Sequence, residues 1–170
     1  GAPLNVAYHL NKLGIPTDML KRVGEDADGE DIMTLCAELA IPLTLFQKDN
    51  KYPTSTVGVH IDENKDVRYD IVFPDAWHNI ALGEKEIGTV RQADFFVFGS
   101  LSTRHNATYQ TLKSLIQVAN YKVLDVNLRA PHYTEERIFE LLGYADLVKM
   151  NEEELGFVAM WLGLPGTDTD

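Results

Sequence analysis

Apolar and polar positions alternate along this chain in two rhythms, and the change of rhythm divides it. From Pro3 to Leu13, Val6, Ala7, Leu10 and Leu13 fall on one helical face, and Gly14 supplies the stop. Met19–Val23 reads as a strand ending at Gly24, and Glu25–Gly29 as an acidic turn. Ile32, Leu35, Cys36 and Leu39 mark a second helix over Asp31–Ala40, and Ile41–Phe46 a second strand. The period then falls to two. Val57, Val59 and Ile61 alternate with polar or glycine neighbours, as do Val67, Tyr69, Ile71 and Phe73 after the polar run 63–66. This predicts a β-hairpin with one apolar face. A two-stranded ribbon is not stable alone, so that face must cover the main body, a ligand or a second copy.

From residue 94 the chain alternates strand and helix. Phe95–Gly99 is a continuous apolar strand of the kind buried in a parallel sheet. Leu112, Leu115, Ile116 and Ala119 predict a helix, 121–126 a strand, and Ile138–Ala145 a helix. Asp146–Met150 reads as a strand, and Leu155, Val158, Ala159 and Leu162 as a helix. The expected fold is a layered α/β body with a mostly parallel sheet. Ligands of such sheets bind beyond the carboxyl ends of the strands. That rule selects Gly99 and Ser100, then Asp125, Asn127 and Arg129, then Lys149, Asn151 and Glu154, and it predicts that they meet at one edge.

Composition narrows the function classes. The 170 residues are 45% apolar and 24% charged, an ordinary globular mix, with a net charge of -11. Such a balance disfavours nucleic acid and anionic membranes as partners. The single cysteine, Cys36, excludes a disulfide framework, and its apolar neighbours mark it as packing. No apolar run reaches membrane-spanning length and no signal peptide is visible, so the expected compartment is the cytoplasm. The chain opens on Gly1 and closes on Thr167–Asp170 in mid-pattern, and it reads as an excerpt of a longer protein.

Several clusters carry two readings each. Gly1-Ala2-Pro3-Leu4-Asn5 is a plain helix start, or a helix start whose free N–H groups and Asn5 hold a polar ligand. Asn151 to Glu154 is a capping box, or an amide and a carboxylate presented to a phosphate and a hydrated magnesium ion; both can hold together. Arg129 lies in a solvated loop or clamps an anion. Lys149, near the end of an apolar strand, snorkels or reaches a ligand. The five histidines have no metal-ligand spacing, and no dinucleotide fingerprint, P-loop or nucleophile elbow occurs.

Taken in order, Gly1-Ala2-Pro3-Leu4-Asn5-Val6-Ala7, Gly14 and Gly24 resemble the N-terminal signature of the ribokinase/PfkB family of carbohydrate kinases. The hairpin at 54–73 sits where that family carries its lid, and Lys149-Met150-Asn151-Glu152-Glu153-Glu154 resembles its Asn-x-x-Glu motif. With Asp125-Val126-Asn127-Leu128-Arg129, the pattern is most similar to the fructokinase branch. The 2-keto-3-deoxygluconate kinases, which share Asp-x-Asn-x-Arg, are the nearest alternative. They carry an arginine after the lid, where this chain reads Tyr69 to Trp77 and offers an aspartate and apolar groups, better suited to a neutral sugar.

The resemblance implies a ribokinase-like three-layer α/β/α fold, with core at 1–50 and 75–170 and a β lid at 51–74. It implies phosphorylation of a sugar hydroxyl, fructose foremost, with ATP and Mg2+. Gly1, Ala2, Asn5 and Arg129 would bind the sugar. Asn127, Lys149, Asn151 and Glu154 would line the phosphate path, Glu154 acting through magnesium-bound water, and a homodimer would form through the lid. The family's Gly-Ala-Gly-Asp motif, which supplies the catalytic base, does not occur in these residues, and its nucleotide-binding part is expected to be absent too. Asp168 and Asp170 lack that glycine context. The chain alone is therefore expected to be inactive, and a non-catalytic sugar-binding or assembly piece is the reading from a different class.

Overall fold

The structure, a computed structural model, describes residues 2–61 and 67–164. Its elements run α1 (Ala2–Lys12), β1 (Lys21–Gly24), α2 (Ala27–Glu38), β2 (Phe46–Asp49), β3 (Val57–Ile61) and β4 (Val67–Ile71). There follow α3 (Glu84–Gln92), β5 (Phe95–Gly99), α4 (Asn106–Ile116), β6 (Tyr121–Asp125), α5 (Glu135–Tyr144), β7 (Leu147–Lys149) and α6 (Glu152–Trp161). Short 3₁₀ turns occupy Ala76–Asn79 and Ser100–Thr103. The chain divides into two compact units, Pro3–Ala81 and Leu82–Asp170.

In the first unit β1 and β2 pair in parallel, Lys21 opposite Phe46 and Gly24 opposite Asp49. Ala7, Met19, Cys36 and Ile41 form the core between them and the helices. The face of α1 is not the one its periodicity suggests. Ala7 is buried and Leu4 and Tyr8 pack beside it, while Leu13 is 75% exposed. The buried stripe therefore runs Leu4, Ala7, Tyr8 and on to Asn11, whose amide donates to the carbonyls of Leu39 (2.9 Å) and Ala40 (3.1 Å). That amide closes the far end of α2, where carbonyls lack intrahelical partners.

The apolar run beginning at Ile41 is likewise not a strand. The N–H of Ile41 donates to Cys36 and that of Ala40 to Ala37, a Schellman ending, with Ala40 at φ 54°. Ile41 folds back on Cys36 in the core, and β2 starts only at Phe46. At its other end α2 begins four residues earlier than expected. Asp26 caps it by accepting from the Gly29 N–H at 2.8 Å, so the acidic stretch is the helix start.

β3 and β4 form the antiparallel hairpin. Its register sets Val57 opposite Ile71, Val59 opposite Tyr69 and Ile61 opposite Val67, apolar against apolar as the alternation requires. The turn expected at 63–66 lies outside the described residues.

The second unit is a three-stranded parallel sheet in the order β5-β6-β7. Phe98, Leu124 and Val126 pack against Tyr109, Leu112 and Ile116 of α4 and Leu141 of α5. The Arg137 guanidinium lies 4.0 Å from the centre of the Tyr109 ring, joining α5 to α4. The α/β class and the parallel strands are those expected from the sequence; among the described residues each unit holds one parallel sheet. α3 went unpredicted because only Glu86 and Val90 of its nine residues are buried.

Candidate functional site

The carboxyl rim of the second sheet is built by strand register. Gly99 is paired with Asp125, and Asp125 with Lys149, so three strand ends reach one level. Ser100, Asn127 and Asn151 follow within two residues, and the polar groups selected from the sequence meet along this edge. A Cβ at Gly99 would sit 3.2 Å from the Asp125 carbonyl oxygen, so the strands leave little room there for a side chain.

The rim is held by its own contacts. The Lys149 ammonium lies 3.0 Å from Asp125 Oδ1; it is 61% exposed, so it neither snorkels nor hides. Past the end of β6, the Val126 N–H donates to the Lys149 carbonyl at 3.0 Å. The Ser100 hydroxyl donates to the Asn127 carbonyl at 3.3 Å. The Leu128 N–H donates to Glu154 Oε1 at 2.9 Å. Three successive residues are thus fastened to three different elements, and the middle one, Asn127, takes a left-handed backbone with φ 40°. Asparagine tolerates that region better than other non-glycine residues. Arg129 is exposed and donates to the neighbouring Leu128 carbonyl.

Asn151 and Glu154 form a complete capping box. Asn151 Oδ1 accepts from the Glu154 N–H at 2.8 Å, and Glu154 Oε2 accepts from the Asn151 N–H at 3.0 Å. Glu154 is buried, at 5% exposure, and each of its oxygens receives a backbone N–H. These residues offer no direct protein cage for a magnesium ion, which would be reached here through water. Among the described residues no three His, Cys, Asp or Glu side chains come together, and the one carboxylate assigned to the metal is already engaged. The start of α6 also carries Glu152, Glu153 and Glu154 in its first turn.

Of the residues assigned to the sugar, Asn5 belongs to the first unit and Arg129 to the second. Gly1 lies outside the described residues. Ala2 opens α1, half-buried, and Asn5 stands exposed one turn in. The hairpin is rooted at the end of β1. The Gly24 N–H donates to the Thr54 hydroxyl at 2.8 Å, and the Thr54 N–H to Asp26 Oδ2 at 2.7 Å. A Cβ at Gly24 would meet the Thr54 nitrogen at 2.6 Å, so this crossing requires glycine. Thr54 holds the Asp26 carboxyl below its usual range. Asp49 is 4% exposed. Burial would raise its pKa, but the N–H groups of Tyr52 and Lys51 and the Arg22 guanidinium, 2.7 Å away, together bring it below the ordinary value.

Of the two aspartates in the stretch 69–77 that suggested a neutral sugar, Asp75 follows the hairpin. That aspartate is fully buried, its Oδ1 2.5 Å from the equally buried His78 Nδ1. In that position it is engaged with His78. Neither this pair nor the Asp26–Thr54–Gly24 knot was apparent from the sequence. Asp26 three residues before Gly29 was the available signal, since that spacing marks a helix cap.

A family model described as pfkB family carbohydrate kinase matches residues 1–169. An uncharacterized sugar kinase of Pyrococcus horikoshii is 30% identical over 166 residues, covering 91% of this chain and 53% of its relative. Its crystal structure in complex with ATP superposes with a TM-score of 0.85 at 26% identity, over 96% of this chain and 57% of that one. A fructokinase of Vibrio alginolyticus is 26% identical over 168 residues, 93% of this chain and 54% of the relative. The fructokinase of Xylella fastidiosa, at 21% identity, has a TM-score of 0.87 over 96% of this chain and 54% of its own, a likeness of fold. The chain spans about half the length of the curated relatives it matches.

Proposed function

The chain belongs to the pfkB family of carbohydrate kinases, and from that membership we propose that it forms part of an enzyme that phosphorylates a hydroxyl group of a sugar, with ATP as donor. The observation that carries the reading is the rim itself, where strand register brings Asp125 and Lys149 into line at the sheet edge. The relatives' names and the ATP complex of the Pyrococcus protein support the donor and the substrate class.

In this reading Lys149 and Arg129 supply positive charge along the path of the transferred group, where binding and charge compensation do most of the work. Asn127 and Asn151 orient oxygens of the phosphate chain. Ala2 and Asn5, with Gly1, bind sugar hydroxyls from the helix start of the first unit. The hairpin is the lid, which excludes water when sugar is bound. Its two strands pair only with each other among the described residues, and a second copy adding strands there completes the reading. Fructose is the first substrate to test, because several relatives are named fructokinases. 2-Keto-3-deoxygluconate is the second, since its kinases share Asp-x-Asn-x-Arg.

The test is ADP release from ATP by the full-length protein with fructose, 2-keto-3-deoxygluconate and ribose. Sugar-dependent release is expected, with fructose giving the highest kcat/KM. Lys149→Met is expected to lower that value at least about tenfold. The isolated 170 residues should show none, because no residue in them is assigned as the base. No sugar-dependent ADP release by the full-length protein would sink the reading, and turnover by the 170-residue piece would sink the assignment of the base.

A further inference from the structure

Each oxygen of Glu154 accepts from a backbone donor, and the two donors belong to different segments. The Leu128 N–H lies in the loop after β6, 26 residues away, and the Asn151 N–H lies at the cap of α6. The carboxylate is buried, and it is the link between the two loops that carry the proposed phosphate-path residues. Next to Leu128 stands Asn127, whose backbone is left-handed. Val126 and the Asn127 carbonyl are tied on one side, and Leu128 on the other.

We infer that Glu154 is a positioning residue, a strap that fixes the left-handed turn at Asn127 against the Asn151 cap and so sets the spacing of Asn127 and Arg129 from Lys149 and Asn151. The inference rests on the kinase reading for its functional part alone; the strap itself is a property of the fold. A negative charge is the right strap, because a carboxylate accepts from two N–H groups at once and forms stronger bonds than a neutral oxygen. A side chain held in this way can act on the reaction through the loops it joins. Its loss should therefore displace several groups slightly rather than remove one contact.

The test uses Glu154→Gln in the full-length protein. Glutamine keeps the shape but has one accepting oxygen, so one of the two N–H groups loses its partner. Amide hydrogen exchange at Leu128 or Asn151 is expected to rise at least about tenfold. The kcat with sugar is expected to fall by about tenfold to a hundredfold, the cost of small misplacement. The magnesium concentration for half-maximal rate and the KM for sugar should stay as in the wild type. Unchanged exchange at both amides overturns the strap. A rate restored by added magnesium overturns it in favour of a role at the metal. Absence of sugar kinase activity in the wild type would refute the proposed function, while the exchange measurement would still decide the strap. Should the variant not fold, the wild type decides: a scalar coupling across the hydrogen bond from the Leu128 amide to the Glu154 carboxyl carbon is expected, and its absence is fatal.

Discussion

Asp49 shows how single side chains set the behaviour of the first unit. Its carboxylate accepts from the N–H groups of Lys51 and Tyr52 and from Arg22, so it ionises more readily than a free aspartate despite burial. Asp26 is lowered in the same direction, first by Thr54. A group whose folded pKa is depressed contributes stability that is fully present above its unfolded value, about pH 4, and is lost as pH falls through the folded value. Denaturant melts of the first unit should therefore lose stability steeply below about pH 4. Asp49→Asn should be less stable at neutral pH and show a shallower loss across that acid window. An acid limb as steep as that of the wild type would mean that Asp49 is not the group responsible. The sequence shows that aspartates are present at 26 and 49, but not that backbone amides 2 to 28 residues away converge on them.

At the scale of elements, α1 and α2 are joined by an amide rather than by apolar contact alone. Asn11 donates to the carbonyls of Leu39 and Ala40 just past the end of α2, where Ala40 already holds a left-handed turn. Asn11→Ala is expected to destabilise the first unit by about 1–2 kcal/mol, the usual cost of leaving such groups unpaired. Urea unfolding measures it, and a change under about 0.5 kcal/mol, as for an ordinary surface substitution, would show that water serves as well. The same joint explains which elements were legible. Helix and strand types followed from periodicity where one face is buried against a large core, as in α4, α5 and the strands from β5 on. Periodicity failed for α1, since the face carrying Val6, Leu10 and Leu13 is about as apolar as the buried one. It failed at Ile41 because an apolar residue packing behind a helix end looks, in one dimension, like the first residue of a strand.

For the molecule as a whole, the apolar surface left bare is considerable. Phe95 and Leu147 on the strands and Leu155, Met160, Leu162 and Leu164 on and after α6 are all exposed. The outer strands of both parallel sheets have an unpaired edge among the described residues. Open edges and apolar faces of this kind promote association. The 170-residue piece is expected to aggregate at micromolar concentration and to give a broad, irreversible melt. A sharp and reversible melt of a monomer, established by sedimentation and calorimetry, would contradict this. The candidate site was legible in part. The rule that ligands lie beyond strand ends picked out Asp125, Asn127, Lys149 and Asn151, and the register sets them along one edge. The bonds that hold them were not legible, because most of their partners are main-chain groups, which carry no residue-specific signature in a sequence.

That anonymity has an inheritance of its own. The donor that Glu154 grips is an amide which every residue except proline possesses. Such a bond would let position 128 exchange one apolar side chain for another without loosening the grip, whereas position 154 would have to keep its carboxylate. The two would leave no correlated record of their contact, and a search for co-varying pairs would pass over the bond on which the turn at Asn127 depends.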